Sequence, residues 1–226
     1  ENVVILWKMC KVFFENIMAY VRRTALQSED KTVFIIQGGP GTGKSVLAVN
    51  LLASTIREGR MAAYVTKNSA PRHVYEELLV KKDRVRKSRV GELFLGSGSF
   101  VGAKENAYDA LFVDEAHRLN EKSGIFHNMG ENQIKEIINA SRLSVFFIDE
   151  DQVVTAQDIG SVEEIKYWAG KLNAKVMEGK LRSQFRCNGS DGYLSFLDDI
   201  LDINHTQYSF DPDDYDIEIL DDPNLV

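Results

Sequence analysis

Short apolar runs alternate with stretches of helical spacing along this chain. Val33-Phe34-Ile35-Ile36-Gln37 is a continuous apolar run of the kind expected for a buried strand. The run Val46–Leu52 behind it reads as part of a helix from Lys44 to about Arg57. Met61–Val65 reads as the next strand. Pro71 then opens a helix through Tyr75, Leu78 and Leu79, with proline at an early helical position. Ala110–Val113 is a third strand, ending at Asp114. Ile134, Ile137 and Ile138 have helical spacing, and Ser144–Ile148 is a fourth strand, ending at Asp149. Val162, Ile165, Trp168, Ala169 and Leu172 recur on one helix face. Ala174–Met177 is a candidate fifth strand, and Tyr193, Leu194, Phe196 and Leu197 belong to a further helix.

Alternating strands and helices predict an α/β fold with a mostly parallel sheet and helices on both faces. Ligands bind such sheets at the carboxyl ends of the strands. Three of the expected strands run into Gly38, Asp114 and Asp149, which predicts one active-site edge. The segments Gly96–Ser99 and Lys122–Asn132 are expected to be mobile loops from their Gly, Ser and Asn content. The stretch Val3–Tyr20 is apolar but interrupted by Lys8, Lys11, Glu15 and Asn16. It is too broken for a membrane span and has neither the basic start nor the cleavage site of a signal peptide. An amphipathic helix packed on the domain is the expectation.

The 226 residues fit one large α/β domain with or without extensions, and 44% hydrophobic content suffices for a core. Two cysteines, Cys10 and Cys187, make no disulfide framework and point to a reducing cytoplasmic setting. The net charge of −7 argues against a generic basic nucleic-acid coat. It hides two opposed clusters, however: acid gathers from Asp198 to Asp222, and base from Lys81 to Arg89. The chain begins at Glu1 rather than Met, and it is expected to be a piece of a longer protein.

The candidate chemistry begins at Gly38-Gly39-Pro40-Gly41-Thr42-Gly43-Lys44-Ser45, a full match to the phosphate-loop pattern G-x-x-x-x-G-K-[ST] between a strand and a helix. Glycines let the backbone N–H groups turn toward phosphate oxygens, and the helix adds its positive dipole end. The cradle is expected to run from Gly38 through Val46. Lys44 would reach the β- and γ-phosphates and Ser45 would ligate Mg²⁺; Thr42 shapes the loop. Downstream, Leu111-Phe112-Val113-Asp114-Glu115-Ala116-His117 is a strand closed by two carboxylates, the Walker B pattern. Asp114 would hold Mg²⁺ through water, and Glu115 would orient the attacking water.

Asp-Glu-Ala-His at 114–117 resembles a helicase box. Phe146-Phe147-Ile148-Asp149-Glu150-Asp151-Gln152 is similar to superfamily 1 motif III, with Ile148 in place of glycine. Leu181–Cys187 looks like motif IV, and Val65-Thr66-Lys67-Asn68 stands where motif Ia belongs. More narrowly, these segments resemble bacterial ATP-binding proteins related to the helicase-like domain of schlafen proteins, over about residues 30 to 205. The resemblance implies a RecA-like core and ATP hydrolysis coupled to nucleic acid. It makes Gln152 a sensor of the γ-phosphate or the attacking water that reports to the nucleic-acid face, and Arg186 a contact to the γ-phosphate that stabilises charge in transfer. His117 is either structural or a link from the box to Gln152. Gln27 has no local pattern and stays outside the site.

The implied division is an N-terminal helical segment (1–29), a RecA-like ATPase lobe (30–205) and an acidic segment (206–226) leading to a second lobe in the parent chain. Thr66, Lys67 and Asn68 are candidates for holding backbone phosphates of single-stranded DNA or RNA. The basic run Lys81–Arg89 is either an electrostatic track or a solvated helix end. The leading expectation is the Mg²⁺–ATP-hydrolysing lobe of a DNA/RNA helicase or translocase. An ATP-loaded nucleic-acid-binding switch and a P-loop phosphotransferase are the alternatives, and GTP is not excluded as the nucleotide.

Overall fold

The computed structural model describes residues 2–24, 30–70, 72–74, 77, 91–124, 126, 128–153, 155 and 157–181, with side chains from residue 11 onward. Along them run α1 (Asn2–Thr24), β1 (Thr32–Gly38), α2 (Lys44–Arg57), β2 (Ala62–Val65), β3 (Phe94–Leu95), β4 (Tyr108–Val113), α3 (Gln133–Ala140), β5 (Ser141–Ile148), α4 (Val162–Lys171) and β6 (Lys175–Leu181). The expected residues Tyr75, Leu78 and Leu79 lie outside the described residues. So do Lys81–Arg89, residues 182–187 of the motif containing Arg186, the helix at Tyr193–Leu197 and the acidic segment from Asp198 to Asp222.

The six strands form one sheet in the order β3-β2-β4-β5-β1-β6, and every neighbouring pair is parallel. Parallel neighbours need crossovers, which place helices over both faces and remove the strands from water. This is why the runs are apolar without alternation. On β1, Phe34 and Ile36 face one core while Val33 and Ile35 face the other. On β4, Phe112 joins the first core and Leu111 and Val113 the second.

The first core lies under α1 and α2. Ile17, Met18 and Val21 of α1 are buried in it, and Tyr20 meets Phe34 edge-on at 5.1 Å. The amphipathic reading of α1 therefore holds. At Gly179 of β6 a Cβ would fall 2.1 Å from the Phe13 ring, so the missing side chain lets this helix lie close to the sheet. The second core packs Ile134, Ile137 and Ile138 of α3 with Ile165 and Ala169 of α4. Asn132 caps α3 by accepting from the amides of Ile134 and Lys135, and Ser161 caps α4 by accepting from Glu164.

Two expectations change. Where Gly96–Ser99 was expected to be a mobile loop, Ser97–Phe100 forms a 3-10 turn whose Ser97 and Phe100 are buried. Within 122–132, Ser123 and Met129 exchange backbone hydrogen bonds, and Asn132 is the α3 cap. The strand Phe94–Leu95 was not expected at all. Among the described residues no helix is long and apolar enough to cross a membrane.

Candidate nucleotide-binding site

The order β4-β5-β1 at the centre of the sheet brings three strand ends side by side. Gln37 is in register with Ile148, and Val113 with Phe146. β1 ends on Gly38, and the residues just past β5 and β4 are Asp149 and Asp114, so one edge collects the loop and both acids.

The loop is shaped by its own geometry. Gly41 and Gly43 have φ of 74° and 87°, the left-handed region that favours glycine. A Cβ on Gly38 would come within 2.6 Å of the Thr42 hydroxyl, which donates to the Gly39 carbonyl at 2.9 Å. Gly43 is the N-cap of α2 and offers no side-chain cap. The amides of the first turn of α2 are therefore left for an anion, in contrast to α3 and α4. Ser45 is half-buried in that turn and Val46 is exposed.

Lys44 is nearly buried. Its ammonium donates to the carbonyls of Gly38 and Gly39 (2.8 Å to the latter) and lies 3.5 Å from Oδ2 of Asp149. The same Oδ2 accepts from Nε2 of Gln152 at 2.8 Å. Asp149 thus connects the loop lysine to the candidate sensor. The sequence placed Asp149 at the active-site edge as a strand-end acid without giving it a role.

Asp114 is buried, with Oδ2 accepting from the Tyr64 hydroxyl at 2.5 Å and Oδ1 from the Glu115 amide at 3.0 Å. Glu115 has φ 55°, a strained value for a residue with a Cβ, and starts the 3-10 turn Ala116–Arg118. Such strain persists where surrounding packing enforces it. Here Gly160 presses on the turn so closely that a Cβ would sit 1.9 Å from the Ala116 carbonyl oxygen. The Glu115 carboxylate stays partly exposed, 3.5 Å from Nε2 of His117. A hydrogen bond from His117 holds its carboxyl below the usual carboxylate range, against burial and with help from the charges of His117, Lys44 and Arg118. His117 is buried, and its Nδ1 has no hydrogen-bond partner among the described residues. Its polar neighbour is Glu115; the sequence had left it either structural or linked to Gln152.

Motif Ia reads differently in three dimensions. Thr66 is fully buried and accepts from the Asn68 amide. Lys67 donates to Asn120 at 2.9 Å and to Asp158 at 3.0 Å. Arg118 approaches the same Asp158 carboxylate at 3.1 Å. Thr66 is thus closed to a phosphate, and Lys67 is already paired.

For Mg²⁺ the donor set is suitable. Among the described residues no group of three or more His, Cys, Asp or Glu is poised to hold a metal. A hard ion that keeps waters and takes one or two protein oxygens beside phosphates needs no such cage. Ser45 and Asp114 are the residues that would hold it.

A parallel sheet whose first strand feeds a glycine loop, an uncapped helix and a buried lysine is the RecA-like fold of P-loop NTPases. The model of the family described as "Schlafen group 3, DNA/RNA helicase domain" matches residues 31–226, and the chain belongs to this family. No curated protein matches the chain. Pif1 helicase from Candida albicans is a similar solved structure, with a TM-score of 0.48, 16% identity, and coverage of 88% of this chain and 44% of that one. AMPPCP-bound DnaA from Aquifex aeolicus gives 0.37, 15%, 92% and 54%. The chain spans about half the length of these two proteins' solved chains.

Proposed function

We propose that this chain binds Mg²⁺–ATP on Gly38–Val46 and hydrolyses it, as the first RecA-like lobe of a DNA/RNA helicase or translocase. The observation that carries this reading is the meeting of Lys44 with Asp149 at the edge where Asp114 and Glu115 also emerge. In this proposal the first-turn amides of α2 and the Lys44 ammonium bind and orient the triphosphate. Ser45 and Asp114 would hold Mg²⁺, which would supply charge neutralisation for the triphosphate. Glu115, kept ionised by its surroundings, accepts a hydrogen bond from the attacking water and orients it. Lys44 and Gln152 share Oδ2 of Asp149, so a change of partner at Lys44 would alter the surroundings of Gln152, which suits it to sensing. Arg186 completes the charge stabilisation in this scheme. Single-stranded DNA or RNA as partner, a second lobe in the parent chain and a cytoplasmic setting belong to the same proposal. The family membership and the two-cysteine composition support them.

The test is phosphate release from ATP by this chain, with and without Mg²⁺, single-stranded DNA and RNA. Glu115→Gln is expected to retain nucleotide binding and lose turnover by about 10²-fold or more. Turnover unaltered in that variant refutes the assignment. Slow hydrolysis that neither nucleic acid stimulates favours an ATP-loaded binding switch.

A further inference from the structure

Asp114 is the acid on which the metal part of the site depends, and both of its oxygens already accept from the protein. The donor on Oδ2 comes from 50 residues earlier in the chain. Tyr64 lies on β2, in register with Phe112 of β4. Parallel partners in register present side chains to the same sheet face, and Asp114 follows Phe112 by two residues, so it returns to that face. The tyrosine ring is buried against Phe94 of β3, with centroids 5.6 Å apart. From there its hydroxyl reaches Asp114 at 2.5 Å, within the range of a hydrogen bond to an ionised acceptor. The Asp114 amide donates to the Val65 carbonyl at 2.8 Å, so β2 fixes this residue by backbone as well as by side chain.

A carboxylate oxygen has two acceptor positions. With Tyr64 on Oδ2 and the Glu115 amide on Oδ1, one position on each oxygen is committed and the carboxylate plane cannot rotate freely. What remains is a fixed pair of lone pairs. We infer that Tyr64 is a positioning residue for the metal: its hydroxyl sets the orientation in which Asp114 meets Mg²⁺ or its water. No motif marks it, because its contribution is one oxygen at the end of an otherwise apolar core side chain. The inference rests on the nucleotide-site reading above. Groups that hold a metal's protein ligand in place are commonly worth about 10–100-fold in metal affinity.

The experiment is a Mg²⁺ titration of a fluorescent ATP analogue binding to the 226-residue chain, repeated with Mn²⁺. Tyr64→Phe removes the hydroxyl and keeps the ring. It is expected to raise the Mg²⁺ midpoint about ten-fold. Phe94→Leu loosens the packing on the same ring and keeps the hydroxyl; its midpoint should stay near wild type even where its melting temperature falls. A Tyr64→Phe midpoint within about two-fold of wild type overturns the assignment, by the same scale of effect. So does an equal shift in Phe94→Leu, which would make the effect one of packing. A wild-type chain showing no metal-dependent analogue binding overturns the nucleotide reading itself. That result is separable, because it needs no variant.

Discussion

Asp158→Asn changes one atom in a side chain that is completely shielded from solvent. The carboxylate receives Lys67 at 3.0 Å, Arg118 at 3.1 Å and the Thr155 amide at 3.1 Å. It therefore joins the segment after β2, the turn after β4 and the loop before α4. The asparagine keeps the shape and one carbonyl acceptor but leaves two cations facing a neutral group. Removing one member of a buried ion pair costs about 3–5 kcal/mol when the stranded charge stays inside. Lys67 and Arg118 keep 28% and 23% of their side-chain surface exposed, so both regain some hydration. The expected loss is then about 2 kcal/mol, nearer the cost of an unsatisfied hydrogen bond. In a chain of this size that is a fall in Tm of about 4–8 °C.

Acid should erase the difference. Burial pushes the Asp158 carboxyl up, but hydrogen bonds from Lys67 and Thr155 and the lysine charge together hold it below its ordinary value. Its unfolded value is about 3.9. The stabilisation is thus complete above that pH and is lost as pH falls through the folded value. Thermal melts of both proteins at neutral pH and at successively lower pH check this. Equal melting temperatures at neutral pH, or a gap that widens on acidification, would refute the reasoning.

Lys44→Ala should weaken binding of a fluorescent ATP analogue and abolish phosphate release; turnover at the wild-type rate contradicts the loop assignment. Gly160→Ala sets a methyl group against the Ala116 carbonyl and must displace the turn that carries Glu115. Overpacking of this kind costs about 1–3 kcal/mol. A chemical-denaturation midpoint lowered together with turnover is expected, and an unchanged midpoint counts against the close approach.

The parts of the fold visible in the sequence are those set by neighbours along the chain. The apolar runs of β1, β4 and β5 declare strands shielded on both faces, and the glycine loop declares its own geometry. The apolar stretch Val3–Tyr20, broken by charges, shows a packed helix in the same way. What escaped is set by distant residues. Phe94–Leu95 is too short for any period to register, and it exists because β2 offers an edge. Gly96–Ser99 has a loop's composition but is pinned by the burial of Ser97 and Phe100. Tyr64 and Asp158 are ordinary residues in sequence and acquire meaning only from Asp114 and Lys67, while Asp149 showed its place at the active-site edge but not its pairing with Lys44 and Gln152. His117 was left between a structural role and a link to Gln152, and the turn at Glu115 sets it beside Glu115.

Lys44 is not waiting with a bare charge. Two carbonyls and the Asp149 carboxylate already satisfy its ammonium. Capture of an anion by this residue would accordingly be an exchange of partners, and the measured affinity would be a difference between old and new contacts. The exchange also leaves Asp149 with Gln152 as its remaining side-chain donor among the described contacts. Filling and emptying of the pocket would then be registered as the alternate charging and discharging of one carboxylate's surroundings, with no hinge required.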